Sequence, residues 1–235
     1  MSSSPSPPPA SRWPTPHICS LGRTRKQRKR KRLPAKPLRP SAPTKLGTIS
    51  STATPVSSKD NPLDRGAVPR FRALAEGQYP HAVIVGCADS RVAPEILFDV
   101  GVGDIFVVRI AGNVVGGAGV TVKGSIEYAI AELNVPLIVV LGHSGCGAVK
   151  AAMKHIDAKD SLPGAINGLV ELIKPVAQSH GKPGDPLDNA VRKNVELGVE
   201  RLKQLQPIVA PQVKEGKLKV VGAVYDLRTG TVTEL

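Results

Sequence analysis

Four short, β-branched apolar runs separated by helical patterns restrict this chain to a narrow set of folds. They are residues 81–87 (HAVIVGC), 104–110 (DIFVVRI), 136–142 (PLIVVLG) and 217–225 (KLKVVGAVY). None shows much polar alternation, which suits strands buried on both faces of a parallel sheet. The segments between them carry apolar residues at three- and four-residue spacing. In 120–133 these are Val122, Ile126, Ala129, Ile130 and Leu133; in 187–205 they are Ala190, Val191, Val195, Leu197, Val199, Leu202 and Leu205. A further helix is predicted from Cys146 to about Ile156. Strands alternating with helices predict an α/β fold: a mainly parallel central sheet of about four strands plus an edge strand, flanked by helices.

Composition matters most in where the charge falls. Of the 32 lysines and arginines, 13 lie in residues 1–59, which hold no acid, so the other 19 balance the 19 acids of residues 60–235. The formal charge of +13 therefore belongs to a tail, and the body is neutral. Residues 1–60 are Ser/Pro-rich with few large apolar side chains, too little to offset the entropy of ordering, and read as disordered. Residues 61–235 are expected to form the folded domain. The tail lacks the apolar centre of a secretory signal. It reads as a solvated tail, a wrongly chosen start, a transit peptide or a nucleic-acid arm. Without interleaved aromatics the nucleic-acid reading is the weaker one. The cytoplasm is the expected location, or an organelle if the tail is a transit peptide. No stretch reaches ~18 uninterrupted apolar residues, so no membrane span is expected.

Three cysteines, one of them Cys19 in the tail, are too few for a disulfide framework in 235 residues. Cys87 and Cys146 must then be core residues, reactive thiols or metal ligands. In open α/β sheets ligands bind beyond the carboxyl ends of strands. The first run ends Gly86-Cys87-Ala88-Asp89-Ser90-Arg91 and the third ends Gly142-His143-Ser144-Gly145-Cys146-Gly147. If those strands are neighbours, Cys87, His143 and Cys146 converge. Two thiolates and an imidazole are zinc ligands, and three protein ligands leave a fourth position open for chemistry, unlike a structural site. Singly, each residue also reads as ordinary core. Asp89 lies two residues from Cys87 and on the same side of an extended segment. Arg91 can hold it by a charge-assisted hydrogen bond, although a helix cap and a surface ion pair would look the same. The Gly-rich loop at 112–119 matches neither nucleotide-binding glycine pattern.

CADSR at 87–91 and HSGCG at 143–147 resemble the paired zinc signatures of the β-class carbonic anhydrases, and the likeness covers roughly residues 70–235. GQYP before the first strand, FVVR at 106–109 and GSIEYA at 124–129 extend it. The resemblance implies one zinc ion per chain, held by Cys87, His143 and Cys146. It implies reversible hydration of carbon dioxide to bicarbonate, with Asp89 and Arg91 orienting a zinc-bound hydroxide. It places Gln78, Phe106, Tyr128 and Gly147 around the substrate, although core packing also accounts for Phe106 and Tyr128, and a helix start for Gly147. A homodimer or higher homo-oligomer is implied as well. The resemblance also implies a second state, in which Asp89 leaves Arg91 at lower pH and closes the zinc site. Carbonyl sulfide and carbon disulfide hydrolases share the ligand set and remain open as alternatives. The low-complexity tail stands where the family carries an N-terminal helical arm. The sole tryptophan, Trp13, lies in that tail, so a Trp-containing bicarbonate pocket is not expected.

Overall fold

A computed structural model describes residues 74–235 apart from 118, 159, 161 and 178–182. The basic tail, Trp13 and the expected boundary near residue 60 lie outside the described residues. The four expected strands are present as β1 (Ala82–Gly86), β2 (Ile105–Arg109), β3 (Leu137–His143) and β4 (Lys219–Tyr225). They pair in parallel in the order β2-β1-β3-β4. The short β5 (Val232–Glu234) adds an antiparallel edge to β4. β1 and β3 are therefore neighbours, and all of their residues are buried.

The α-helices among the described residues include α1 (Pro94–Leu97), α2 (Gly119–Ala131), α3 (Gly147–Ala158), α4 (Ala165–Ala177), α5 (Pro186–Lys203) and α6 (Val209–Lys214). On one face of the sheet, Val83, Val85, Ile138, Val140 and Val220 pack with Ile126 and Ile130 of α2 and Val195 and Leu202 of α5. On the other, Ile84, Val139, Leu141 and Val221 meet Val92, Leu97 and Phe98. Each fully buried aliphatic contributes ~1.5–3 kcal/mol, and with so few aromatics these side chains carry the core. Asp185 starts α5 by accepting from the Leu187 and Asp188 amides at 2.7 and 3.2 Å, with Pro186 in the first turn.

Three helices were not foreseen: α1, α4 and α6. α4 matters most, because Val170, Ile173 and Val176 pack on Val149 and Ala152 of α3 and on Ala190 and Val191 of α5. This third cluster includes Cys87 and Cys146 and backs the ends of β1 and β3. Its apolar spacing was present in Leu169, Val170 and Ile173, but Pro175 inside the helix reads as a breaker. Among the described residues, no helix is long and apolar enough to cross a membrane.

Candidate metal centre

β1 ends at Gly86 and β3 at His143, so Cys87 and His143 leave adjacent strands at the same edge. Ser144 ties the second loop down: its N–H donates to the Tyr225 carbonyl at 2.8 Å and its Oγ accepts from the Leu227 N–H at 2.9 Å. Gly145, at φ +64°, then makes the left-handed turn that places Cys146 just before α3. The ligand atoms of Cys87, His143 and Cys146 all lie within 4.8 Å of one another, and all three residues are buried.

The donor set fits a metal ion by three observations. First, His143 Nδ1 lies 3.0 Å from the Ser144 carbonyl, which can only accept, so Nδ1 carries the proton and Nε2 presents a lone pair. Second, that Nε2 is buried without a hydrogen-bond partner, a costly position for a polar atom unless a cation sits against it. Third, the two buried sulfurs lie within 4.8 Å of one another and oppose each other's ionisation. The neighbouring Cys146 pulls the Cys87 thiol down to about 4, helped by the Gly112 and Asp89 amides. The same contact, with burial, pushes Cys146 far up. Two adjacent thiolates need a cation between them to coexist. For His143, burial pushes the imidazole down, but the neighbouring Cys87 sulfur and the Ser144 carbonyl outweigh it and the net direction is up.

The loop after Cys87 carries the acid–base pair. Arg91 donates from Nε to Asp89 Oδ1 at 2.9 Å and from Nη2 to Oδ2 at 2.7 Å, and its backbone N–H also reaches Oδ1 at 3.0 Å. The guanidinium holds the Asp89 carboxyl far below the usual carboxylate range. Asp89 Oδ2 is 3.8 Å from His143 Nε2, so the carboxylate faces the ligand set. Arg91, Ser144 and Gly145 also line an open cleft of about 570 Å³, together with Asp185, Asp188 and Arg228.

A family model described as carbonic anhydrase matches residues 82–232. Carbonic anhydrase 2 of Mycobacterium tuberculosis is 46% identical over 159 residues, covering 67% of this chain and 75% of that protein. The structure of the Coccomyxa β-carbonic anhydrase, in complex with acetazolamide, is 35% identical with a TM-score of 0.62, over 70% of this chain and 76% of that one. A structure reported among two tetrameric β-carbonic anhydrases from Sordaria macrospora is 29% identical with a TM-score of 0.63, over 72% and 88% of the two chains. The chain belongs to the β-carbonic anhydrase family.

The four residues marked for substrate by the likeness to β-carbonic anhydrases do not all reach the metal centre of their own chain. Gly147 does: it follows Cys146, is exposed, and an added Cβ there would meet nothing within 4 Å. Phe106 pairs in register with Val83, four residues before Cys87. At ~3.3 Å per residue that is about 13 Å along the strand. Tyr128 stays with Phe106, ring centroids 6.3 Å apart, and remains 48% exposed. Gln78 is exposed and precedes β1, at the opposite end of that strand from Cys87.

Two contributors to the site escaped the sequence reading. Arg109 donates from Nε to the Cys87 carbonyl at 3.0 Å and from Nη2 to the Asp89 carbonyl at 2.5 Å, clamping the loop that carries ligand and acid. A charge ending an otherwise apolar strand was the available signal. The other is Gly112, whose N–H donates to Cys87 Sγ at 3.2 Å; nothing in its sequence context marks a bond over 25 residues.

Proposed function

We propose that this chain is a carbonic anhydrase: it hydrates carbon dioxide reversibly to bicarbonate and a proton at one zinc ion per chain held by Cys87, His143 and Cys146. The convergence of these three side chains, with His143 Nε2 buried and unpartnered, carries the reading. Bound there, zinc supplies Lewis acidity that polarises water. Cys146 stands just before α3, and the start of a helix favours a thiolate there.

Asp89 is placed to accept a hydrogen bond from the attacking water and so aim its lone pair at carbon dioxide. Arg91 keeps that carboxylate ionised and in one rotamer. Arg109 holds the carbonyls on either side of the loop, fixing the distance between ligand and acid. When Asp89 leaves Arg91 it can reach the ligand set and close the site, so activity falls at lower pH. A flat rate between about pH 6.5 and 8.5 contradicts that closing step.

The working form proposed is a homodimer or higher homo-oligomer. Phe106 lies four residues back along the strand register from Cys87, Tyr128 packs on Phe106, and Gln78 precedes β1 at its far end, so none of them is placed to serve the centre of its own chain. They serve the pocket of an adjacent subunit instead. The cytoplasm is the proposed location. Nucleic acid is not a proposed partner, because the excess positive charge lies in residues 1–59 alone.

Stopped-flow rates on carbon dioxide, carbonyl sulfide and carbon disulfide test the substrate. The expected order puts carbon dioxide first by a wide margin. Preference for either sulfur compound moves the assignment to a hydrolase on the same ligands. Deletion of residues 1–59 is expected to leave hydration intact.

A further inference from the structure

α5 buries Ala190, Val191, Val195, Gly198 and Leu202, and with them one carboxamide, Asn194. Taking an amide out of water is costly unless it is hydrogen-bonded. Asn194 Nδ2 donates to the Gly112 carbonyl at 2.7 Å, across 82 residues of sequence. Gly112 sits at φ 72°, ψ 17°, and an added Cβ would come within 2.7 Å of Ile173 Cδ1. In this left-handed conformation the two peptide groups flanking its Cα face different ways. The carbonyl meets Asn194, and the N–H meets Cys87 Sγ at 3.2 Å. Glycine visits left- and right-handed regions about equally, so the residue alone does not hold its amide on the sulfur. Two bonds flank it: the Asn113 N–H donates to the Ile110 carbonyl at 2.9 Å, closing the turn, and Asn194 anchors the Gly112 carbonyl from α5.

We propose that Asn194 is a positioning residue for the metal ligand Cys87, acting through the Gly112 amide. An N–H donated to a thiolate draws charge from the sulfur, and such outer partners set ligand strength and metal affinity. The second donor to this sulfur, the Asp89 amide at 3.4 Å, belongs to the 87–91 loop and does not depend on α5. Loss of Asn194 therefore weakens one of two donors and leaves the ligands themselves in place. The inference rests on the metal centre proposed above.

Asn194→Leu removes the donor at similar volume. Two quantities are read on the full chain: zinc affinity by chelator competition, and the thiolate-to-metal charge-transfer band of the cobalt(II) form. Affinity is expected to fall about 10–100-fold, with a shifted band. Val195→Ala, on the same buried stripe, is expected to lower urea resistance and leave both quantities unchanged. Asn194→Leu that loses stability yet keeps wild-type affinity and band overturns the proposal, and leaves Asn194 a packing residue. If that variant does not fold, Asn194→Ser, whose shorter arm cannot span the gap, is read in the same way. In cadmium-loaded wild-type protein, scalar coupling between the Gly112 amide proton and the metal nucleus is expected. Its absence refutes the amide–sulfur link without any variant. Wild-type protein that takes up no metal refutes the centre itself, which is a different result from an indifferent Asn194→Leu.

Discussion

Arg91 grips Asp89 at both carboxylate oxygens, Nε on Oδ1 at 2.9 Å and Nη2 on Oδ2 at 2.7 Å, while the carboxylate stands 3.8 Å from the ring of His143. The pair thus joins a fixed acid to the ligand set without itself being a ligand. Asp89→Asn keeps the shape and removes the charge. Its hydration rate is expected to fall about a hundredfold or more, with zinc content unchanged by metal analysis. Arg91→Lys is expected to behave similarly, because a single ammonium cannot hold both oxygens. A variant with normal rate removes the dyad from the mechanism.

Metal uptake should release protons from the pair of sulfurs. Their contact pulls the Cys87 thiol down to about 4 and pushes Cys146 far up. Two thiolates cannot coexist there without a cation, so zinc is expected to displace about one proton per ion from the pair. Calorimetry in buffers of different ionisation enthalpy measures the number. Uptake without proton release contradicts the opposed shifts of the two thiols.

The same pair gives the metal-free protein a defined pH dependence. Cys87 is depressed in the folded state, so its contribution is full above the unfolded thiol value, ~8.5, and is lost as pH falls towards about 4. Cys146 is raised, so its contribution is full below ~8.5 and is lost as pH rises beyond it. In urea melts with a chelator present, the advantage of wild type over Cys87→Ser is expected to grow from acid pH to about 8.5. A constant difference contradicts the depressed thiol.

Subunit mixing tests where Phe106 and Tyr128 act. Cys146→Ala chains lack the metal site and keep the pocket residues; Phe106→Ala/Tyr128→Ala chains do the reverse. Each is expected to be nearly inactive alone. If pockets are shared between subunits, random mixing puts one complete site in each heterodimer, restoring about a quarter of wild-type activity. No recovery on mixing places the aromatic pair in its own chain's chemistry or in the core alone.

The legible parts of this molecule were those whose chemistry is written locally. The four apolar runs gave strands within a residue or two of their ends; β1, β3 and most of β4 are buried as expected, whereas β2, at the edge of the sheet, is mostly half-buried. Cys87, His143 and Cys146 stood out because soft ligands at strand ends, flanked by glycines, have few other uses. Helix α4 was hidden by Pro175. Asn194 and Gly112 could not be read at all, since their roles exist only through hydrogen bonds over 82 and 25 residues. For Phe106 the aromatic identity was visible, but its distance from Cys87 depended on register, which only the paired strands define.

The most direct test is metal reconstitution. The full chain, purified under reducing conditions, is stripped with a chelator and titrated with zinc while carbon dioxide hydration is followed by stopped flow. Hydration is expected to rise linearly and stop at one zinc per chain, with Cys146→Ala neither holding the metal nor recovering rate. Folded wild-type protein that binds no zinc, or hydrates carbon dioxide equally well without it, contradicts the account.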